Sequence, residues 1–125
     1  MDKIVIFTIV FTFFDLLGFY LAYLYGRKTK NFRWREYLAI VAVPLGCVFA
    51  AAYLIDLKII NLFLVSCFIG FALEYLLGLA YHKTLNKRLW EYKRLSVHGY
   101  TSLLSIPFWG VGGVSFWFIA KILGL

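Results

Sequence analysis

Residues 66–92 read SCFIGFALEYLLGLAYHKTLNKRLWEY, and they decide the fold. An apolar run carries one carboxyl, Glu74, and gives way to a basic stretch that ends in Trp90-Glu91-Tyr92. A charge at the centre of a bilayer costs on the order of 3 kcal/mol or more unless it finds partners, so Glu74 marks a structural or functional site. At helical spacing Ser66, Gly70, Glu74, Gly78 and His82 fall on one slowly drifting face, each four residues from the next. Leu, Phe, Ile and Val occupy the other faces. This is the pattern of a helix that turns its small and polar side towards other helices and its bulk towards lipid.

The whole chain supports that environment. Its 125 residues are 63% hydrophobic, 21% aromatic and only 15% charged, with a mean hydropathy of +0.84. A water-soluble domain of this size cannot hide so much apolar surface, so the expectation is one polytopic membrane domain over residues 1–125. The formal charge of +7 does not point to nucleic acid, because the cations sit in two short clusters between apolar runs. Cys47 and Cys67 lie deep in apolar runs without metal-ligand spacing, and read as small hydrophobes.

Four spans are expected, at about 4–25, 37–55, 59–81 and 100–124, in an all-α integral membrane four-helix bundle. The first, of roughly 22 residues, reaches about 33 Å, enough for a hydrocarbon core of about 30 Å. The second carries Pro44, a packing kink or a hinge, and a stripe of small residues at Ala42, Gly46 and Ala50 where another helix can approach. The last is interrupted at Ser105-Ile106-Pro107, so a kink near Pro107 is expected. Loops 26–36 and 82–99 hold five Lys or Arg each, whereas Lys3, Lys58 and Lys121 stand alone at the other connections. That asymmetry puts both loops in the cytoplasm and both termini on the non-cytoplasmic side of a multi-pass cell-membrane protein. Tyr25, Trp34, Tyr37, Tyr81, Trp90, Tyr92 and Tyr100 cluster at the same boundary, where amphipathic rings prefer to sit.

Two acids lie inside spans. Glu74 stands about 12 Å from the loop boundary, and Asp15, on a face with Thr8, Thr12, Gly18 and Ala22, about 16 Å from it. They can line a common cavity or be satisfied separately by hydroxyls and backbone; Thr8 and Thr12 can satisfy Asp15 locally, and Arg88 and Arg94 are within reach of Glu74. Inside the bundle, Glu74 is expected to bond the Trp90-Glu91-Tyr92 loop or the polar start of the last span. His82 and His98 flank the loop, where a histidine is cheap and needs no ligand. No nucleophile–base or metal-ligand spacing is present, so no catalytic residue, metal or cofactor is assigned.

Glu74 and Gly78, then Trp90-Glu91-Tyr92, then Gly99-Tyr100, Leu103 and Pro107-Phe108-Trp109-Gly110 with Gly113 resemble the CmpB-like membrane family named for type IV ABC transporters, to which the eukaryotic transmembrane protein 229 is also similar. In that family a Glu-x-x-x-Gly helix precedes a Trp-Asp-Tyr-Ser loop and a Gly-x-x-x-Leu helix ending in Trp-Gly. The match covers roughly residues 70–113, with Glu91 in place of the usual aspartate and Lys93 in place of serine. Mapped by position, the resemblance points to Glu74, Trp90, Glu91, Tyr92, Gly99 and Trp109, without assigning them roles.

Three functions compete. The first is a transport or permease-like protein with an acidic polar cavity at Glu74, with Asp15 lining the same path. The second is a membrane-embedded lipid-binding or lipid-modifying protein in which Arg88 and the other loop cations hold an anionic head group. The third is a non-catalytic accessory subunit. Membrane lipids, and a homo-oligomer or a larger membrane complex, are the expected partners, because four helices leave little interior for a pathway.

Overall fold

The computed structural model describes residues 2–22 and 29–124, with the backbone alone at 19 and 22. Residues 23–28, with the end of the first expected span and Arg27 and Lys28, lie outside the described residues. The order is α1 (Lys3–Ala22), α2 (Trp34–Leu54), α3 (Ile59–Leu85), a short hairpin of β1 (Ser96–Val97) and β2 (Thr101–Ser102), a 3-10 turn (Leu103–Ser105) and α4 (Ile106–Ile122). Three helical stretches, Trp34–Leu54, Ile59–Leu85 and Leu103–Ile122, are long and apolar enough to cross a membrane. The protein is a helical membrane protein.

Burial follows the inverted logic of a lipid environment. On α3, Phe68 is 73% exposed while Ser66, Gly70 and Glu74 are buried. Small residues let backbones approach, and close contact rather than a hydrophobic driving force holds helices together in lipid. The α3–α4 seam is built this way: the Trp109 indole fills the space where a side chain on Gly70 would stand, and Ser66 does the same at Gly113. α4 packs against each of the other three helices, α3 also packs on α2, and α1 rests chiefly on α4. α1 and α4 run antiparallel, with Phe14 stacked on Phe108 at 5.3 Å and Phe11 on Phe118 at 5.6 Å.

The helix boundaries differ from expectation where side chains override hydropathy. α3 runs a turn past Tyr81 and stops at Asn86, whose φ of 57° is the left-handed conformation that ends helices. The expected fourth span does not begin at Tyr100. Residues 96–102 form an antiparallel hairpin, Ser96 opposite Ser102 and Val97 opposite Thr101, with His98 (φ 56°) and Gly99 (φ 79°) at its turn. Ser102 then accepts from Leu104 N at 3.1 Å and donates to Arg94 O at 2.7 Å, anchoring the 3-10 turn. Pro107, which has no N–H to offer, stands in the first turn of α4, where that N–H is not needed. The interruption thus takes the form of a helix start, and α4 continues from Ile106 to Ile122. Pro44 is buried within α2. Ala42 and Gly46 lie on the outer face of α2, and nothing approaches Gly46 within 4 Å.

Beneath α2, α3 and α4 the loop after α3 folds back into the protein. Leu89, Trp90 and Tyr92 join Tyr37, Val41, Val48 and Trp109 in one buried cluster. Tyr37 meets Trp90 edge-on at 5.6 Å, a favoured aromatic geometry. The Trp90 indole N–H donates to Tyr100 O at 2.7 Å, and Tyr92 N donates to Gly99 O at 2.9 Å. The Thr29 hydroxyl, from the first basic loop, lies 2.9 Å from the carbonyls of both Arg88 and Leu89 and shares its one proton between them.

Candidate functional site

The face of α3 singled out by its spacing meets one partner per turn. Ser66 faces Gly113, and Gly70 lies under Trp109. Glu74 comes next, with Tyr92 and Thr101 bonded to its carboxyl. A methyl on Gly78 would come within 3.1 Å of Trp90 and 3.2 Å of Tyr100. His82 Nδ1 lies 2.8 Å from the Tyr100 hydroxyl.

Glu74 is 4% exposed. Its Oε2 accepts from the Tyr92 hydroxyl at 2.8 Å, and its Oε1 accepts from Thr101 Oγ1 at 2.6 Å. Ser105 Oγ lies 3.3 Å from Oε1, but its one proton has a shorter route to Ser102 O at 2.7 Å. The two expected alternatives, loop and start of the last span, therefore both bond Glu74: Tyr92 comes from the loop, and Thr101 and Ser105 from the segment leading into α4. Thr101 and Ser105 were visible only as a polar patch in residues 101–105, where nothing in the spacing ranked them above Ser102.

The Arg88 side chain is engaged away from Glu74, and Arg94 stands exposed at the hairpin end. Arg88 Nη1 donates to His98 O at 2.8 Å, and the guanidinium lies 4.7 Å over the Tyr100 ring. His98 Nδ1 is 2.8 Å from the Tyr75 hydroxyl. Arg88, His82, His98, Gly99 and Tyr100 thus brace the hairpin against the end of α3. Glu91 is exposed, its Cγ close to Gly99. In the first turn of α2, Glu36 accepts a short hydrogen bond from the Tyr81 hydroxyl.

Asp15 has different surroundings. It lines a groove of about 730 Å³ whose sides are α1 and α4, with Leu45 of α2 opposite and Tyr92, Arg94, Ser102 and Ser105 at the hairpin end. Glu74 is absent from that lining; its partners Tyr92 and Ser105 present their own faces there. The two acids therefore do not share a cavity surface. Beside Asp15 stand Gly112, at which a Cβ would lie 3.2 Å from Oδ2, and Ser115, the side chain within hydrogen-bonding reach of it among the described residues. The Ser115 hydroxyl also donates to Val111 O at 2.8 Å, and one proton serves one acceptor at a time. Thr8 donates to Ile4 O at 2.7 Å, and Thr12 Oγ1 is buried without a partner among the described residues. The expected local satisfaction of Asp15 by Thr8 and Thr12 is not how the helix resolves it: the Thr8 hydroxyl bonds its own backbone, and the Thr12 hydroxyl makes no bond to the carboxyl. Ser115 was missed in the sequence; its only signal is being the one hydroxyl in an otherwise apolar stretch of α4.

Helices packed through glycine and serine, an aromatic loop folded beneath them and an acid-bearing groove define a polytopic helical membrane protein. The chain belongs to the family described as "Putative ABC-transporter type IV", whose model matches residues 9–123. The match extends well beyond residues 70–113 and takes in Asp15, the groove and α2 as well as the Glu74 clamp. No curated protein and no solved structure matches the chain.

Proposed function

We propose that this protein is a ligand-handling membrane component of transport, and that its ligand occupies the groove over α4 with Asp15, rather than Glu74, facing it. The supporting observation is the groove itself: about 730 Å³, within the range of small-molecule sites, with mostly apolar walls and a few convergent polar groups. Glu74 is its structural support. By holding Tyr92 and Thr101 it fixes the loop and hairpin that close one end. All four helices cross the bilayer, and by the distribution of Lys and Arg both termini lie on the non-cytoplasmic side of the cell membrane.

Native mass spectrometry of protein extracted in mild detergent tests the site. A small amphiphile retained by the native chain is expected to be lost from Leu45→Trp, which fills the groove. Retention unchanged by that substitution in a folded protein rejects the groove. A second function, lipid storage or presentation, is favoured by Arg94 standing exposed at the hairpin end beside Ser102. It predicts a phospholipid mass lost on Arg94→Ala.

A further inference from the structure

The geometry points to a lipophilic organic cation, an ammonium or similar centre carried on an apolar and aromatic body, as the ligand of the groove, with Asp15 as its counter-ion. This rests on the groove being the ligand site. Asp15 is the only acid in the lining. A carboxylate offers about four lone-pair positions, and among the described residues one donor, the shared Ser115 hydroxyl, stands ready to serve them. Thr12 Oγ1, one turn away on α1 and also in the lining, is buried with no partner among the described residues. The middle of the groove therefore holds unused hydrogen-bonding capacity around a single carboxyl, in surroundings where its ionised form needs a matching charge.

The remaining walls select what kind of cation can meet that charge. Phe108, Trp109 and Phe116 line the groove, and aromatic faces attract cations while burying apolar surface. A bare metal ion is a poor match. Asp15, Thr12 and Ser115 supply one carboxylate and two hydroxyls, where Ca²⁺ takes six to eight oxygens, and the described residues hold no group of three His, Cys, Asp or Glu. Anions are disfavoured at the same spot. Arg94 is the one basic residue in the lining among the described residues and belongs to the hairpin end, with Ser102 and Ser105. Ser105 and Ser115 are ten residues apart, about 15 Å along the axis of α4, so Arg94 and Asp15 act on different ends of a bound molecule. A cation of the right shape would place its charge at Asp15, its body against the aromatic rings and any acceptor groups towards Arg94.

Tetraphenylphosphonium, permanently charged and apolar, is the probe. Titrated calorimetrically into purified full-length protein in neutral detergent, it is expected to bind saturably. Asp15→Asn should weaken it about tenfold or more, and Asp15→Glu, which keeps the charge, should recover most of the affinity. Gel filtration and helical circular dichroism establish that both variants are folded. Absence of binding to the native protein overturns the inference, as does equal binding to native protein and Asp15→Asn. Retention of a neutral or anionic amphiphile that Leu45→Trp abolishes, together with no phosphonium binding, overturns the cation while the groove stands. Phosphonium binding that Leu45→Trp leaves untouched overturns both.

Discussion

Glu74 and Asp15 are both carboxyls on small-residue faces of apolar helices, yet their surroundings differ in kind. Glu74 is enclosed, and the hydroxyls of Tyr92 and Thr101 occupy its two oxygens. Asp15 faces a groove and has one shared hydroxyl beside it. In a low-dielectric interior a polar network is strongly stabilising when complete and costly when incomplete. A saturated acid thus ties parts of the protein together, whereas an under-satisfied one leaves bonding capacity for something else. Which of the two is structural follows from counting donors, since both are equally unexpected in a bilayer.

The largest expected effect comes from breaking the saturated side. Glu74→Leu removes the carboxyl that accepts from the buried Tyr92 and Thr101 hydroxyls, and should destabilise the protein by about 3 kcal/mol or more, read from equilibrium unfolding in mixed micelles. Adding Tyr92→Phe and Thr101→Val to Glu74→Leu should recover a good part of that loss, because no polar group is then left stranded. Should the triple variant prove no more stable than Glu74→Leu, the cost lies in the carboxyl's shape or charge and not in its hydroxyl partners.

Next in size is Gly70→Ala, one turn along the same face. Its methyl would occupy the place of the Trp109 indole, so helix and ring must move apart, at about 1–3 kcal/mol. Trp109 also lines the groove, so the substitution should perturb any groove-bound ligand, which the unfolding measurement on ligand-free protein separates from packing. An unchanged stability would mean that α3 and α4 are not held at that spacing.

Smaller still is Tyr92→Phe, which removes one donor and leaves Glu74 bonded to Thr101. A loss of about 1 kcal/mol is expected, with a double-mutant cycle against Thr101→Val showing coupling through the shared carboxyl. Additive losses would show that the two hydroxyls reach Glu74 independently.

Much of this contrast was legible in residues 66–92, and the illegible part has a physical origin. Spacing alone put Ser66, Gly70, Glu74, Gly78 and His82 on one face, and each is turned into the protein or against Tyr100. The start of α4 was misplaced because Tyr100, Leu103 and Leu104 read as a continuation of an apolar span. Their path is set by the hairpin register and by Ser102, whose contacts to Arg94 and Leu104 no hydropathy window weighs. Asp15 and Glu74 looked like companions because depth along a helix is readable in a sequence while direction around the bundle is not. α1 packs chiefly on α4, and the partner that distinguishes Asp15, Ser115, is 100 positions away with no pattern linking them.

The smallest expected effect, on stability, is that of Asp15→Asn, and it tests the contrast most sharply. The substitution removes a charge that at most one shared hydroxyl supports, and the amide keeps an acceptor for Ser115. The change should stay within about 0.5 kcal/mol, as for a substitution outside a packed network. A loss as large as that of Glu74→Leu would mean that Asp15 is itself saturated, by a group placed where the open side of the groove now lies. A clear gain in stability would mean that the native carboxylate is strained in the unliganded protein. A stability within that margin marks an acid that the fold neither needs nor is strained by, which leaves its bonding capacity to a ligand.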